Sequence, residues 1–186
     1  MAKIILNHGG YRKLLSYQKS EIVYDGTVYF CNKYIAYNDR TKDQMIQAAR
    51  SCKQNIVEGS MASGTSKETE LKLTNVARAS LEELLEDYKD YARLHKLNLW
   101  DKDNKLYKRL SELIKVPDGN YQTFQKAIEN KDIEIVVNTM INLSNVTKYL
   151  LEKQINWLEQ DFINHGGIRE RMTKARLEER NKPHNN

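Results

Sequence analysis

Apolar residues recur at Met45, Ala49, Cys52 and Ile56, and again at Leu73, Ala77, Leu81, Leu84, Tyr88 and Tyr91, in steps of three and four. That spacing lines one face of an α-helix, so Gln44–Lys96 reads as two amphipathic helices, each with a side to bury. Thr41 with Gln44, and Thr65 with Glu68, have capping-box spacing and predict the two helix starts. Gly59 predicts the end of the earlier helix, because a left-handed residue after the last turn costs little only for glycine. Upstream, Leu14, Tyr17, Tyr24, Val28, Cys31 and Ile35 predict a helix from Tyr11 to Tyr37, interrupted only by Glu21 and tolerant of Gly26.

Downstream, Asp101 can cap a short helical piece running to Lys115, and Pro117-Asp118-Gly119 signals a turn. The longest pattern follows. Ile133, Val136, Met140, Leu143, Leu150 and Trp157 form one stripe, and Val137, Ile141, Ser144, Leu151, Ile155, Leu158 and Phe162 a neighbouring one. A helix from Asp132 to Asn164 spans about 50 Å. Two adjoining stripes make a face broad enough to serve a second subunit as well as its own bundle. The expected fold is therefore all-α: an antiparallel up-down-up-down four-helix bundle over residues 1–163, with a C-terminal helical extension, a basic suffix, over residues 164–186.

With 186 residues the chain can bury a core without disulfides or metal. Cys31 and Cys52 both fall on apolar stripes, which predicts buried, reduced thiols. No run approaches the roughly 20 apolar residues of a membrane span, and Met1–Gly10 lacks the length of a secretory apolar region. A cytoplasmic location, with no membrane partner, is the expectation.

The formal net charge is +5, unevenly distributed. Residues 165–186 hold six cations (Arg169, Arg171, Lys174, Arg176, Arg180, Lys182) against three anions, and residues 1–37 hold five cations against two. Both ends are positive and the middle is nearly neutral, which favours polyanionic partners at the ends. The suffix has a ragged apolar face and is marginal as an isolated helix. It could order on RNA or DNA phosphates, with Arg12, Lys13, Arg169, Arg171, Lys174, Arg176 and Arg180 as contacts, or stand as a solvated helical tail. No recognition-helix or aromatic RNA-binding motif is present, so any such contact is backbone-directed.

The tetrapeptide Asn-His-Gly-Gly occurs twice, at residues 7–10 and 164–167, each time followed by an apolar residue and an arginine. An even number of helical passes returns the chain to its starting pole, so the copies can meet. Asn7, His8, Asn164 and His165 could then form an anion site beside Arg12 and Arg169. The favoured reading is geometric, with the glycine pairs ending and restarting helices. Two histidines without carboxylate or thiolate neighbours make an incomplete metal shell.

Catalysis finds no support. The Glu-x-x-His pairs of di-iron bundles do not occur, nor does a phosphate loop, nucleophile elbow, His-Glu-x-x-His or Cys-x-x-Cys. Glu83, Asp87 and Asp90 share a helical face, but it lies beside the apolar stripe and reads as solvated surface. No catalytic residue, metal ligand or cofactor is assigned.

The junction Ala48-Ala49-Arg50-Ser51, then Asn55, Ile56, Glu58 and Gly59, is followed by Ser66-Lys67-Glu68 and Leu81-Glu82-Glu83-Leu84. In these residues the chain resembles the small bacterial four-helix-bundle family encoded in intervening sequences of large-subunit ribosomal RNA genes. That family includes the accessory variability protein of diversity-generating retroelements. The resemblance covers roughly Leu14 to Leu158, with an apparent insertion near Pro117. Longer relatives with a basic suffix look closer to this chain. The resemblance implies a non-enzymatic, ring-forming helical homo-oligomer and, in the retroelement branch, binding to a reverse transcriptase and to nucleic acid. Arg50, Asn55, Glu58 and Gly59 belong to the family pattern, and the expected role is a polar network at the turn, pairing loose backbone groups. A protein-interaction scaffold, docking another protein through the tyrosine-rich first helix and the broad last face, is the alternative.

Overall fold

The computed structural model describes residues 9–116 and 119–180, apart from the side chain of Glu179. The fold is all-helical, without a strand among the described residues. A 3-10 turn at Tyr11–Lys13 leads into α1 (Leu15–Tyr34), α2 (Arg40–Ala62), α3 (Lys67–Leu94), α4 (Lys105–Ile114), α5 (Tyr121–Ile128), α6 (Ile133–His165) and α7 (Ile168–Arg180).

The long helices α1, α2, α3 and α6 supply most of the core, and α4 and α5 add Leu110, Phe124 and Ile128. α1 packs on α2 and α6, and α3 packs on α2 and α6, while α5 lies against α1 and α6. Polar contacts link these neighbours. Ser16, at the start of α1, donates to Gln154 late in α6 at 2.6 Å, and the Tyr34 hydroxyl at the end of α1 reaches the Asn130 carbonyl just before α6. Lys67, opening α3, pairs with Asp161 near the end of α6, whereas Asn98, just past α3, bonds Glu134 in the first turn of α6. Ser51 and Ser80 hydroxyls meet at 2.9 Å between α2 and α3.

Core residues come from the expected stripes. Met45, Ala49, Cys52, Ile56, Ala77, Leu81, Leu84 and Tyr88 are all buried. Phe30 sits at the centre of an aromatic cluster, with ring centroids 5.0 Å from Tyr88 and 4.9 Å from Tyr91. Cys31 and Cys52 are free and buried, and burial pushes both thiols up to about 12, so they pack as apolar side chains.

Several boundaries differ from those the pattern predicts. The first helix is split: Leu14 is extended (ψ 124°), ending the 3-10 turn before α1 begins, and Ile35 is extended again, so α1 stops short of Tyr37. Asp39 rather than Thr41 caps α2, accepting from the Thr41 amide, and Ser66 rather than Thr65 caps α3, accepting from the Thr69 amide. Asn104 caps α4, while Asp101 folds an upstream turn by accepting from the amides of Asp103 and Asn104.

Gly59 does not end α2. It lies inside the helix, buried, where a Cβ would stand 3.3 Å from the Glu70 carbonyl oxygen and 3.4 Å from the Leu73 Cβ. Glycine is used there for close approach to α3, not for a left-handed stop. Of the turn signal at residues 117–119, Pro117 and Asp118 lie outside the described residues.

α6 is 33 residues long and matches the predicted span to within one residue at each end. Its two apolar stripes are buried from Val136 to Leu151 except for the half-buried Leu150, because α1, α3 and α5 all pack against α6. Within that stretch the broad face is covered by this chain itself. Toward the C-terminal end of α6 it is not: Trp157, Phe162 and Ile163 are exposed, although Leu158 between them is buried.

Candidate nucleic-acid interface

The α2–α3 turn organises one pole of the molecule. On one side, the Gly9 amide donates to the Ser60 carbonyl at 3.1 Å, holding the start of the described chain against the end of α2. On the other, Lys67 binds two carboxylates, Glu70 at 3.1 Å and Asp161 at 3.3 Å, with its ammonium 5.6 Å from the Trp157 ring. Burial raises the Glu70 carboxyl above its ordinary value, and the Lys67 charge opposes that shift. The Lys67–Asp161 pair ties α3 to α6 across 94 positions of sequence, so no local pattern announces it. It is the main polar feature of the pole that sequence reasoning missed.

His165 closes α6 with its Nδ1 3.0 Å from Asp161 Oδ1. Gly166 follows at φ 64°, a positive value that glycine adopts without Cβ strain, and α7 begins at Ile168. The Gly167 amide donates to Glu170 Oε2 at 2.9 Å, a side chain reaching back to the open first turn of α7. Arg169 stands near enough to Glu68 to contribute, after Lys72, to holding that carboxyl below its ordinary value. The suffix therefore begins beside the first turn of α3.

No described residue of α7 is buried. At 100° per residue, Arg169, Arg176 and Arg180 fall on one face of this helix, separated by seven and four positions. Lys174 is exposed on another side, and Arg171 is half-buried with Nε and Nη2 shielded from solvent. Arg12 and Lys13 are exposed in the 3-10 turn, with the Arg12 guanidinium 5.7 Å from the Tyr11 ring centre. The pole thus carries exposed cations from both ends of the described chain.

Of the four residues considered for an anion site, Asn7 and His8 lie outside the described residues. Asn164 and His165 are exposed, but the His165 ring and the Gly167 amide already face the carboxylates of Asp161 and Glu170.

Arg50, Asn55 and Glu58 sit within α2 ahead of its last turn, and Gly59 is the first residue of that last turn, which runs to Ala62. Asn55 Nδ2 donates to the Ser51 carbonyl and hydroxyl one turn back. Arg50 and Glu58 are exposed, and no side-chain hydrogen bond or ion pair joins the four among the described residues. α2 continues through Gly59 to Ala62, and the carbonyls of its last turn are met by the Gly9, Thr65 and Ser66 amides and the Ser63 hydroxyl instead of by these four side chains.

Among the described residues, no group of three or more histidines, cysteines or acidic residues is disposed to hold a metal ion. No described helix is long and apolar enough to cross a membrane. Glu83 and Asp90 are exposed and Asp87 is half-buried, its carboxyl raised by burial and then by the two neighbouring charges. Comparison of the chain with protein-family models, with curated proteins and with solved structures gives no match.

Proposed function

We propose that the chain is a non-catalytic, self-associating protein built as an antiparallel up-down-up-down bundle of α1, α2, α3 and α6, and that it binds RNA or DNA through the basic pole, as an accessory to a reverse transcriptase. One observation carries the reading: α7 stands clear of the core with Arg169, Arg176 and Arg180 on a common face, beside a pole where Arg12 and Lys13 are also exposed. Over 11 residues that face extends about 16 Å, long enough to follow several phosphates of a strand. Lys174 and Arg171 add positive charge around it. Contacts of this type neutralise phosphates and release counterions, so they position a nucleic acid without reading its sequence. The bundle 1–163 serves as the platform and 164–186 as the nucleic-acid-binding segment. The junction residues of α2 and α3, with their resemblance to the retroelement accessory proteins, support the reverse-transcriptase connection.

The test is binding of a labelled 20-nucleotide RNA, and of the matching DNA, across a salt series. Affinity falls steeply with salt, by the same amount for unrelated sequences. The Arg169→Ala/Arg176→Ala/Arg180→Ala variant lowers the slope by about 2, near 0.7 for each lost single-strand phosphate contact. Binding that is flat in salt, or no binding, removes the reading.

The exposed Trp157, Phe162 and Ile163 at the end of α6, with Met172 and Leu177 on α7, favour a second reading, a scaffold that docks another protein without nucleic acid. Recovery of the same protein partner before and after nuclease treatment, together with absent nucleic-acid binding, selects it. Sedimentation over a concentration series tests self-association in either case.

A further inference from the structure

An exposed aromatic ring at the basic pole bears on which form of nucleic acid the pole takes. Trp157, near the end of α6, is 60% exposed. The Lys67 ammonium lies over this ring, 5.6 Å from its centre, and the lysine side chain is itself only 10% exposed. Glu70 at 3.1 Å and Asp161 at 3.3 Å hold that ammonium in place. One face of the indole therefore rests on an anchored cation, and the rest of the ring is open to solvent.

The carboxylates around the ring are already engaged. Asp161 faces Lys67 and His165, Glu70 faces Lys67, and Glu68 is paired with Lys72 at 2.6 Å. Glu68 follows Lys67 in the first turn of α3, and Arg169 acts on its carboxyl, so the arginine face of α7 begins one residue along α3 from the lysine under the indole. An open ring beside a row of cations is the arrangement that holds unpaired strands: cations follow the phosphates, and the ring takes the face of a base. Bases inside a duplex are stacked on one another and offer no such face.

We infer that the basic pole binds single-stranded nucleic acid, with one base stacked on the open face of Trp157 and neighbouring phosphates along Arg169, Arg176 and Arg180. The inference rests on the nucleic-acid reading above and adds the strandedness of the ligand and the residue that selects it. Lys67 is a positioning residue: enclosed by two carboxylates, it fixes the plane of the indole from below instead of meeting a phosphate. Stacking is an uncharged contact that releases no counterions, so Trp157 changes affinity without changing its salt dependence, which the arginines set.

The test measures equilibrium binding of the full chain, across salt, to a labelled RNA strand, to the same strand paired with its complement, and to a strand of equal length built from abasic units. The parent binds the RNA strand about tenfold tighter than the abasic strand, and binding quenches tryptophan fluorescence. Trp157→Leu, which keeps apolar bulk and leaves Trp100 in place, weakens the RNA strand about tenfold at every salt concentration, abolishes the quenching, and leaves the duplex and the abasic strand unaffected. Trp157→Phe keeps a ring and recovers most of the affinity. Because Trp157 is exposed, circular dichroism of both variants matches the parent. Equal binding of the RNA strand by the parent and Trp157→Leu overturns the inference, and steep salt dependence then leaves the reading of the basic pole standing. A loss in Trp157→Leu that the duplex and the abasic strand share also overturns it, since it reports damage to the pole and not lost stacking. Absence of salt-dependent binding by the parent removes both readings.

Discussion

Tyr88 and Thr27 offer the sharpest test of how α1 and α3 lock together. Tyr88 is fully buried against Phe30, and its hydroxyl donates to Thr27 Oγ1 at 3.0 Å, which in turn donates to the Val23 carbonyl at 2.7 Å. Burial holds the phenol well above its ordinary value of 10.0, so it stays protonated and the chain of donors runs in one direction. Thr27→Val keeps the side-chain shape but strands the Tyr88 hydroxyl in the core, at a cost of about 1–3 kcal/mol. Tyr88→Phe removes one neutral bond and leaves Thr27 satisfied by Val23, at a cost of about 1 kcal/mol. The double variant has no stranded hydroxyl, so its loss falls short of the sum of the singles by about 1 kcal/mol. Urea unfolding of the four proteins at pH 7, compared at a common slope, reads this directly. If the losses add to within about 0.3 kcal/mol, the two hydroxyls are not coupled and α1 does not meet α3 as described.

Gly59→Val places branched carbon against the Glu70 carbonyl and Leu73, and urea unfolding is expected to show a loss of about 2 kcal/mol, although the same change at an uncrowded helix position favours the helix. Ser144→Ala is expected to stabilise the chain by about 1 kcal/mol in the same assay, because Ser144 Oγ is fully buried with no partner; a loss of similar size contradicts that account. Asp87→Asn tests the acidic face of α3. The Asp87 carboxyl is raised above its ordinary 3.8 chiefly by burial, then by Glu83 and Asp90, so its protonated form stabilises the fold below that value and the contribution is lost as pH rises through the raised one. The asparagine variant therefore melts higher than the parent at pH 7, and the difference shrinks toward pH 4; a difference that grows on acidification refutes the assignment.

The amphipathic stripes were sufficient to define α2, α3 and α6, because three-and-four spacing is a local property and burying those faces leaves few alternatives. They also predicted the state of both cysteines and the basic character of the suffix, which depend only on which residues are near in sequence. Helix ends were less legible. Thr41, Thr65 and Asp101 each had an equally suitable capping neighbour within three positions, and the choice between them turns on backbone geometry. Gly59 misled for a related reason: glycine serves a left-handed stop and a close helix crossing equally well, and only the proximity of Glu70 and Leu73 distinguishes the two.

Composition and pattern by themselves determined that this chain is helical, which faces of its long segments are apolar, and that its positive charge lies toward the ends. The three-dimensional arrangement alone decided that Lys67 joins Asp161, that Arg50 and Glu58 point to solvent, and that the short helix α5 packs against both α1 and α6. These are contacts between segments distant along the chain or faces set by a helix end, and a one-dimensional pattern records which side of a helix is apolar without recording what it will meet.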